Sequence, residues 1–197
     1  MIAGETPCFM ERLVADYIST FLAETAQIAQ TIDRTSIAGA VDQFKALKAR
    51  GGRLFLVGVG GSAGNCSHAV NDFRKIAGIE SYTPADNVSE LTARINDESW
   101  ETCYSNWLKG SKISKNDMLL VFSVGGGSAT TSLNLVRSME LAREVGAPIV
   151  SVVSRDGGKA KELSTVCILV PVVAKERITP HAEAWQAVVW HLLVNAI

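Results

Sequence analysis

Residues 51–70 read GGRLFLVGVGGSAGNCSHAV. Gly51 and Gly52 end a helical pattern, and a compact apolar run, Leu54-Phe55-Leu56-Val57, opens a new one. Four apolar residues in a row have no exposed face, which is the mark of a parallel strand covered by helices on both sides. The run breaks at once into Gly58-Val59-Gly60-Gly61-Ser62-Ala63-Gly64, after which the spacing turns helical. Strand, glycine-rich turn and helix in that order make the opening of an α/β unit.

Downstream the same grammar repeats. Apolar runs at Met118–Phe122, Ile149–Val153 and Val166–Val170 read as further buried strands, and a weaker one falls near Glu80–Thr83. Helical stretches lie between them, near Ala63–Ala77, Ser89–Ile95, Glu98–Leu108, Ser128–Val145 and Gly158–Leu163. A last helix runs from about Pro180 to the end. The fold class is α/β, a doubly wound open parallel sheet of about five strands flanked by helices. Upstream, Leu13, Val14, Tyr17, Ile18, Phe21 and Leu22 recur at helical spacing through Phe9–Asp33, and Ser36 is placed to cap a second helix reaching Arg50. Two N-terminal helices (1–50) thus precede an α/β core (51–197), in one domain without linker or repeat. The apolar stripe of the first is wide enough to meet another subunit as well as its own sheet.

Composition narrows the function classes. The 197 residues carry 19 basic and 20 acidic side chains, a net charge of −1. That balance gives no field to draw nucleic acid or an anionic membrane, so an anionic ligand needs a local site. There is neither a secretory pattern at the start nor an unbroken apolar run of ~20 residues. The four cysteines, Cys8, Cys66, Cys103 and Cys167, form no CxxC pair and read as reduced thiols. A cytoplasmic protein is expected, with Cys66 as a small buried residue.

The second informative loop is Ser123-Val124-Gly125-Gly126-Gly127-Ser128, again following a strand. Both loops offer bare amides, close backbone approach and serine hydroxyls. They fit tight structural turns, a dinucleotide site or the phosphate of a small molecule. The dinucleotide reading is weakened because Gly58, Gly60 and Gly64 have the wrong spacing and no acidic residue ends the next strand. No GK[ST] follows either loop. A phosphate without a nucleotide cofactor suits the loops best, held by Gly60, Gly61 and Ser62 in one and Ser123, Gly125, Gly126 and Ser128 in the other.

Polar residues punctuate two helices. His68 and Asp72 stand four apart, just past the first loop, and so share a face. Glu183 and His191 stand eight apart on the last helix, about 12 Å along its axis, with small Ala187 between them. Two imidazoles and two carboxylates can ligate zinc, or carry out proton transfer beside a carbonyl. Each pair also reads as an ordinary surface feature of its helix. His181 reads as a solvated residue near the helix start, and Trp185 and Trp190 as packing, with Trp185 placed to line a pocket.

Together, GVGGSAGNCSH, SVGGGS and TPHAEAWQAVVWH resemble the SIS-domain phosphoheptose isomerases, across almost the whole chain. The resemblance implies an SIS-type sheet and aldose–ketose isomerisation of sedoheptulose 7-phosphate to a manno-heptose 7-phosphate, through an enediol. It implies phosphate contacts from Ser62, Ser123 and Ser128, substrate contacts from Asn87, Thr179 and Glu183, and catalysis by Asp72 and His191. It also implies Zn2+ on His68, Asp72, Glu183 and His191, and a homotetramer with active sites near subunit interfaces.

The chain departs from the pattern at several of these positions. Ser123-Val124-Gly125 replaces serine-threonine-serine, Val59 replaces asparagine, Asn87 an aspartate, Asp72 a glutamate and Glu183 a glutamine. Asp72 shortens the base by ~1 Å. Two carboxylates with two neutral histidines balance a divalent cation. The altered second loop admits a different chain length, such as an octose phosphate, and a non-catalytic module binding a phosphosugar or a protein is the other alternative.

Overall fold

The computed structural model describes residues 9–197; Cys8 and the start of the chain lie outside the described residues. Helix α1 (Phe9–Thr31) and helix α2 (Arg34–Ala49) come first, as expected from their spacing. The cap of α2 is Asp33, not Ser36: its carboxylate accepts the amides of Thr35 and Ser36, at 2.9 and 3.2 Å. Ser36 falls inside the first helical turn, so the capping position before the turn belongs to Asp33.

Strands β1 (Leu54–Val57), β2 (Ser81–Tyr82), β3 (Met118–Phe122), β4 (Ile149–Val153) and β5 (Val166–Leu169) form one sheet, all parallel, in the order β2-β1-β3-β4-β5. Leu54, Leu56, Met118, Leu120 and Phe122 join Phe44, Phe73 and Trp190 in one core layer. Phe55, Val57, Leu119 and Val121 join Trp107, Leu135 and Met139 in the other. Alternate residues of each strand therefore enter opposite layers, which is why the runs are apolar throughout. The first layer is covered by α2, α3 (Gly61–Lys75) and α8 (Ile178–Ala196). The second is covered by α5 (Cys103–Gly110), α6 (Leu133–Glu144) and α7 (Gly158–Leu163), while α4 (Val88–Asp97) leans on α5.

At the lower edge Arg53 and Asp117 bind β1 to β3. The Asp117 carboxylate accepts from the Arg53 backbone and guanidinium and from Ser114, at 2.8–3.1 Å. Burial pushes this carboxyl upward, but those hydrogen bonds outweigh it and hold it below the usual carboxylate range.

Two helix starts differ from expectation. α5 begins at Cys103, because Ser99 and Thr102 close a turn with each other (2.9 Å). α6 begins at Leu133, not at Ser128. The Ser128 hydroxyl accepts the amides of Thr130 and Thr131, the Ser128 amide donates to the Thr131 carbonyl, and Ser132 turns left-handed (φ 53°). A serine side chain that captures local amides favours a turn over a helix. Among the described residues no helix is long and apolar enough to cross a membrane.

Candidate functional site

The strand order places the two glycine loops side by side. β1 connects outward to β2 on one side and β3 outward to β4 on the other, so the chain reverses its winding between β1 and β3. Helices on opposite faces leave a crevice beyond the carboxyl ends of such strands. Here it is a cleft of about 700 Å³, lined by Val59 and Ser62 after β1, by residues between Ser123 and Ser132 after β3, and by Arg155, Asp156 and Gly158 after β4.

The first loop is built by close approach. A Cβ on Gly58 would lie 2.5 Å from the Ser62 carbonyl oxygen, so α3 can begin there only because Gly58 has none. The buried Tyr104 hydroxyl donates to the Gly58 carbonyl (2.9 Å) and fixes the turn, and burial pushes that phenol up to about 12. Gly60 is left-handed (φ 63°) and Gly61 is exposed. Ser62 is 1% exposed overall but lines the cleft at the start of α3, where first-turn amides have no partner within the helix.

The second loop is braced by its neighbour. The carbonyls of Gly126 and Gly127 accept the amides of Ala160 and Lys159 (both 2.9 Å), and the Ser154 amide donates to Val124 (2.9 Å). The Ser123 hydroxyl oxygen accepts the Gly126 amide (3.0 Å), which leaves its proton free to donate into the cleft. Gly125 lies in the cleft wall. The start of α7 is therefore occupied by loop carbonyls.

A second cluster forms where α3 packs on α8. One ligand atom each from His68, Asp72 and His191 lies within 4.8 Å of the others. Asp72 Oδ2 stands 3.6 Å from His68 Nε2 and 3.5 Å from His191 Nε2. Tetrahedral ligands on a zinc ion are about 3.4 Å apart, which the two distances from Asp72 approach. The tautomer also fits. His191 Nδ1 donates to the Ala187 carbonyl (2.7 Å), which leaves the Nε2 lone pair facing Asp72. Asp72 is buried while both imidazoles are exposed, so the cluster opens to solvent on the histidine side.

Trp190, read from sequence as packing, does more than pack. It is 1% exposed, stacks on His191 with centroids 4.8 Å apart, and donates its indole N–H to Asp72 Oδ2 (3.2 Å). Its neighbour in sequence, His191, was the only available signal. Which oxygen of which helix the indole meets depends on the crossing of α3 and α8. Trp185 is buried in the core layer rather than lining the cleft.

The expected quartet divides. Glu183 lies outside the three-residue cluster, and its carboxylate sits against Gly61, where a Cβ would collide with it. Two helical turns separate it from His191, so it faces the first loop while His191 faces Asp72. Thr179 is exposed in the first turn of α8. Asn87 caps α4, accepting the Glu90 amide (3.2 Å), and its neighbour Asp86 hydrogen-bonds the Ser67 hydroxyl. Cys66 is fully buried and burial pushes its thiol up, which suits packing rather than reactivity.

His181 is not solvated. It is 3% exposed, stacks on Phe21 (4.5 Å), and meets Glu24 Oε2 at 2.8 Å. Arg177 donates to both oxygens of Glu24 (2.8 and 2.6 Å). These bonds, Arg177 first and His181 second, hold the Glu24 carboxyl down at about 2, against an ordinary 4.5. A lowered folded value stabilises the fold above the unfolded value, and that contribution is lost as pH falls from 4.5 through about 2. Glu24→Gln should therefore lower stability above this window and flatten its dependence on pH within it. Urea unfolding of both proteins across the window checks this. Equal slopes would contradict it.

The SIS domain family matches residues 16–154. The phosphoheptose isomerase of Akkermansia muciniphila is 32% identical over 169 residues, covering 74% of this chain and 86% of its own length. The lincomycin biosynthesis protein LmbN of Streptomyces lincolnensis is 33% identical over 158 residues, 74% of this chain and 56% of that protein. The structure of a phosphoheptose isomerase from Francisella tularensis superposes with a TM-score of 0.80 at 17% identity, over 96% of this chain and 98% of the other. With an SIS match over most of its length and a relative of this identity and coverage, the chain belongs to the SIS-domain phosphoheptose isomerase family.

Proposed function

We propose that this protein is an aldose–ketose isomerase of a sugar phosphate, and that its substrate is sedoheptulose 7-phosphate, converted to a manno-heptose 7-phosphate. The observation that carries this reading is the pairing of two sites along one helix. α3 starts in the cleft at Ser62 and reaches His68 and Asp72 one and a half to three turns later. At 1.5 Å per residue, Ser62 and His68 are about 9 Å apart along the axis, room for a carbon chain between an anchored phosphate and a reacting carbonyl.

The loops hold the phosphate through the Ser62, Ser123 and Ser128 hydroxyls and the amides around Gly60, Gly61, Gly125 and Gly126. Thr179, Glu183 and Asn87 act along the sugar. Asp72 removes the proton from C1 of the ketose, and the electron pair becomes the C1–C2 double bond of an enediol as the C2 oxygen gains a proton. Returning a proton to C2, while the C1 hydroxyl loses one, gives the aldose. His191 carries the protons between oxygens. Oδ2 of Asp72 is engaged by Trp190 and turned to the histidines, so Oδ1, met only by the Asn71 amide (3.1 Å), is the oxygen free to act as base. A divalent cation, Zn2+ by the donor set, would be held by His68, Asp72 and His191 and would supply positive charge beside the carbonyl. Glu183 lies outside this set, its carboxylate against Gly61.

Exposed Leu13, Val14, Tyr17, Ile18 and Leu22 on α1, and Val188 and Leu192 beside His191, support assembly through these helices into a homotetramer with sites near the interfaces. The near balance of charge supports a small-molecule substrate rather than nucleic acid or an anionic membrane. The altered second loop, in which Val124 and Gly125 stand where two hydroxyls are usual, supports a second reading, a longer sugar phosphate such as an octose. Ketose phosphates of five to eight carbons, followed by NMR for aldose formation, test the assignment. The heptose should be turned over fastest. Faster turnover of another length would reassign the substrate, and turnover of none would leave a binding module.

A further inference from the structure

The two glycine–serine loops offer the cleft hydroxyls and amides but no cation. A phosphomonoester is a dianion, and neutral hydroxyls compensate such charge only in part. The Ser123 and Ser128 hydroxyls, each accepting backbone amides, keep one proton apiece to donate, while the Lys159 and Ala160 amides of α7 go to loop carbonyls. Among the residues lining the cleft, Arg155 alone is basic and Asp156 alone is acidic. Asp156 accepts the Gly158 amide (3.1 Å), which turns it to the start of α7.

Arg155 is placed unusually. Its backbone is left-handed (φ 57°), a conformation that strains a residue carrying a side chain. Its side chain folds across the second loop: Cδ lies 3.7 Å and Nη1 4.0 Å from where a Cβ on Gly125 would sit. These are ordinary van der Waals distances, so the arginine lies against the second loop without depending on the missing Cβ. No ion pair engages the guanidinium among the described residues. An exposed, unpaired cation on a strained backbone at the wall of this cleft of about 700 Å³ is placed to meet an anionic ligand.

We propose that Arg155 is the phosphate-recognition residue of this cleft, its planar guanidinium replacing hydroxyls that Val124 and Gly125 do not supply and setting the preference for phosphorylated sugars. This deepens the sugar-phosphate reading and rests on it. A guanidinium presents paired N–H donors that match two phosphate oxygens, which an ammonium does not.

The test uses inorganic phosphate as the probe, so that it does not depend on turnover. Calorimetry of the full chain should show phosphate binding weakened about 10- to 100-fold in Arg155→Gly, as expected for losing hydrogen bonds to a charged group. Arg155→Lys should fall between them. Glycine accepts the left-handed backbone without strain, so the variant is expected to fold, and its melting curve checks that. With the sugar phosphate the loss should appear mainly in KM. Phosphate binding by Arg155→Gly indistinguishable from wild type, or no binding by wild type, overturns the inference. If phosphate binding depends on Arg155 but no sugar phosphate is isomerised, the inference stands and the isomerase reading fails. If isomerisation proceeds and phosphate ignores Arg155, the reverse holds.

Discussion

Asp72→Asn should lower isomerisation by about 10²- to 10⁴-fold, the range associated with a positioned general base. The amide matches the carboxylate in shape, and its oxygen can still accept the Trp190 indole N–H, so the fold and the packing of α3 on α8 should persist. What is lost is the proton acceptor and one negative ligand between two imidazoles. Initial rates on the sugar phosphate, with circular dichroism to confirm the fold, check both halves. Turnover unchanged in Asp72→Asn removes this residue from the chemistry.

Gly126→Ala should be the most destabilising single methyl near the cleft. The position is left-handed (φ 72°), and a Cβ would run into the Gly157 carbonyl oxygen. The clash falls on backbone, so relief requires the second loop and the α7 start to separate, breaking the bonds from Lys159 and Ala160. Left-handed strain and the broken bracing together should cost about 3 kcal/mol. For a chain of this size that lowers Tm by about 6–12 °C. Gly64→Ala is the control: nothing lies within 4 Å of its added Cβ and its backbone is helical, so stability should hold or rise. Calorimetric melting of the pair checks the contrast, and similar midpoints would contradict the bracing argument.

Much of this was written in short-range pattern. The apolar runs at Leu54, Met118 and Ile149 fixed three central strands because each is buried on both faces, and a two-sided strand leaves no doubtful register of polar residues. β2, only two residues long at the sheet edge, carries correspondingly little signal. The loops were visible because glycines cluster where a Cβ cannot fit, as at Gly58 and Gly126. Relations between helices were less visible. Four-residue spacing placed His68 with Asp72, but the meeting with His191, the indole bond from Trp190 and the divergence of Glu183 follow from how α3 crosses α8. The burial of His181 likewise depends on α1 folding across α8, a contact separated by more than 150 residues. A lone arginine after a strand carries no motif, so Arg155 is singled out only by its backbone and its place against the second loop.

Proton transfer at the α3–α8 cluster, on a sugar whose phosphate lies in the cleft where α3 begins, is decided by incubating the protein with sedoheptulose 7-phosphate in deuterium oxide and following the aldose by proton NMR. The wild type should form an aldose 7-phosphate, with deuterium entering at C2 to the extent that the abstracted proton exchanges with solvent, and Asp72→Asn should lose it. Aldose formed at an undiminished rate in the variant would show that Asp72 is not the base.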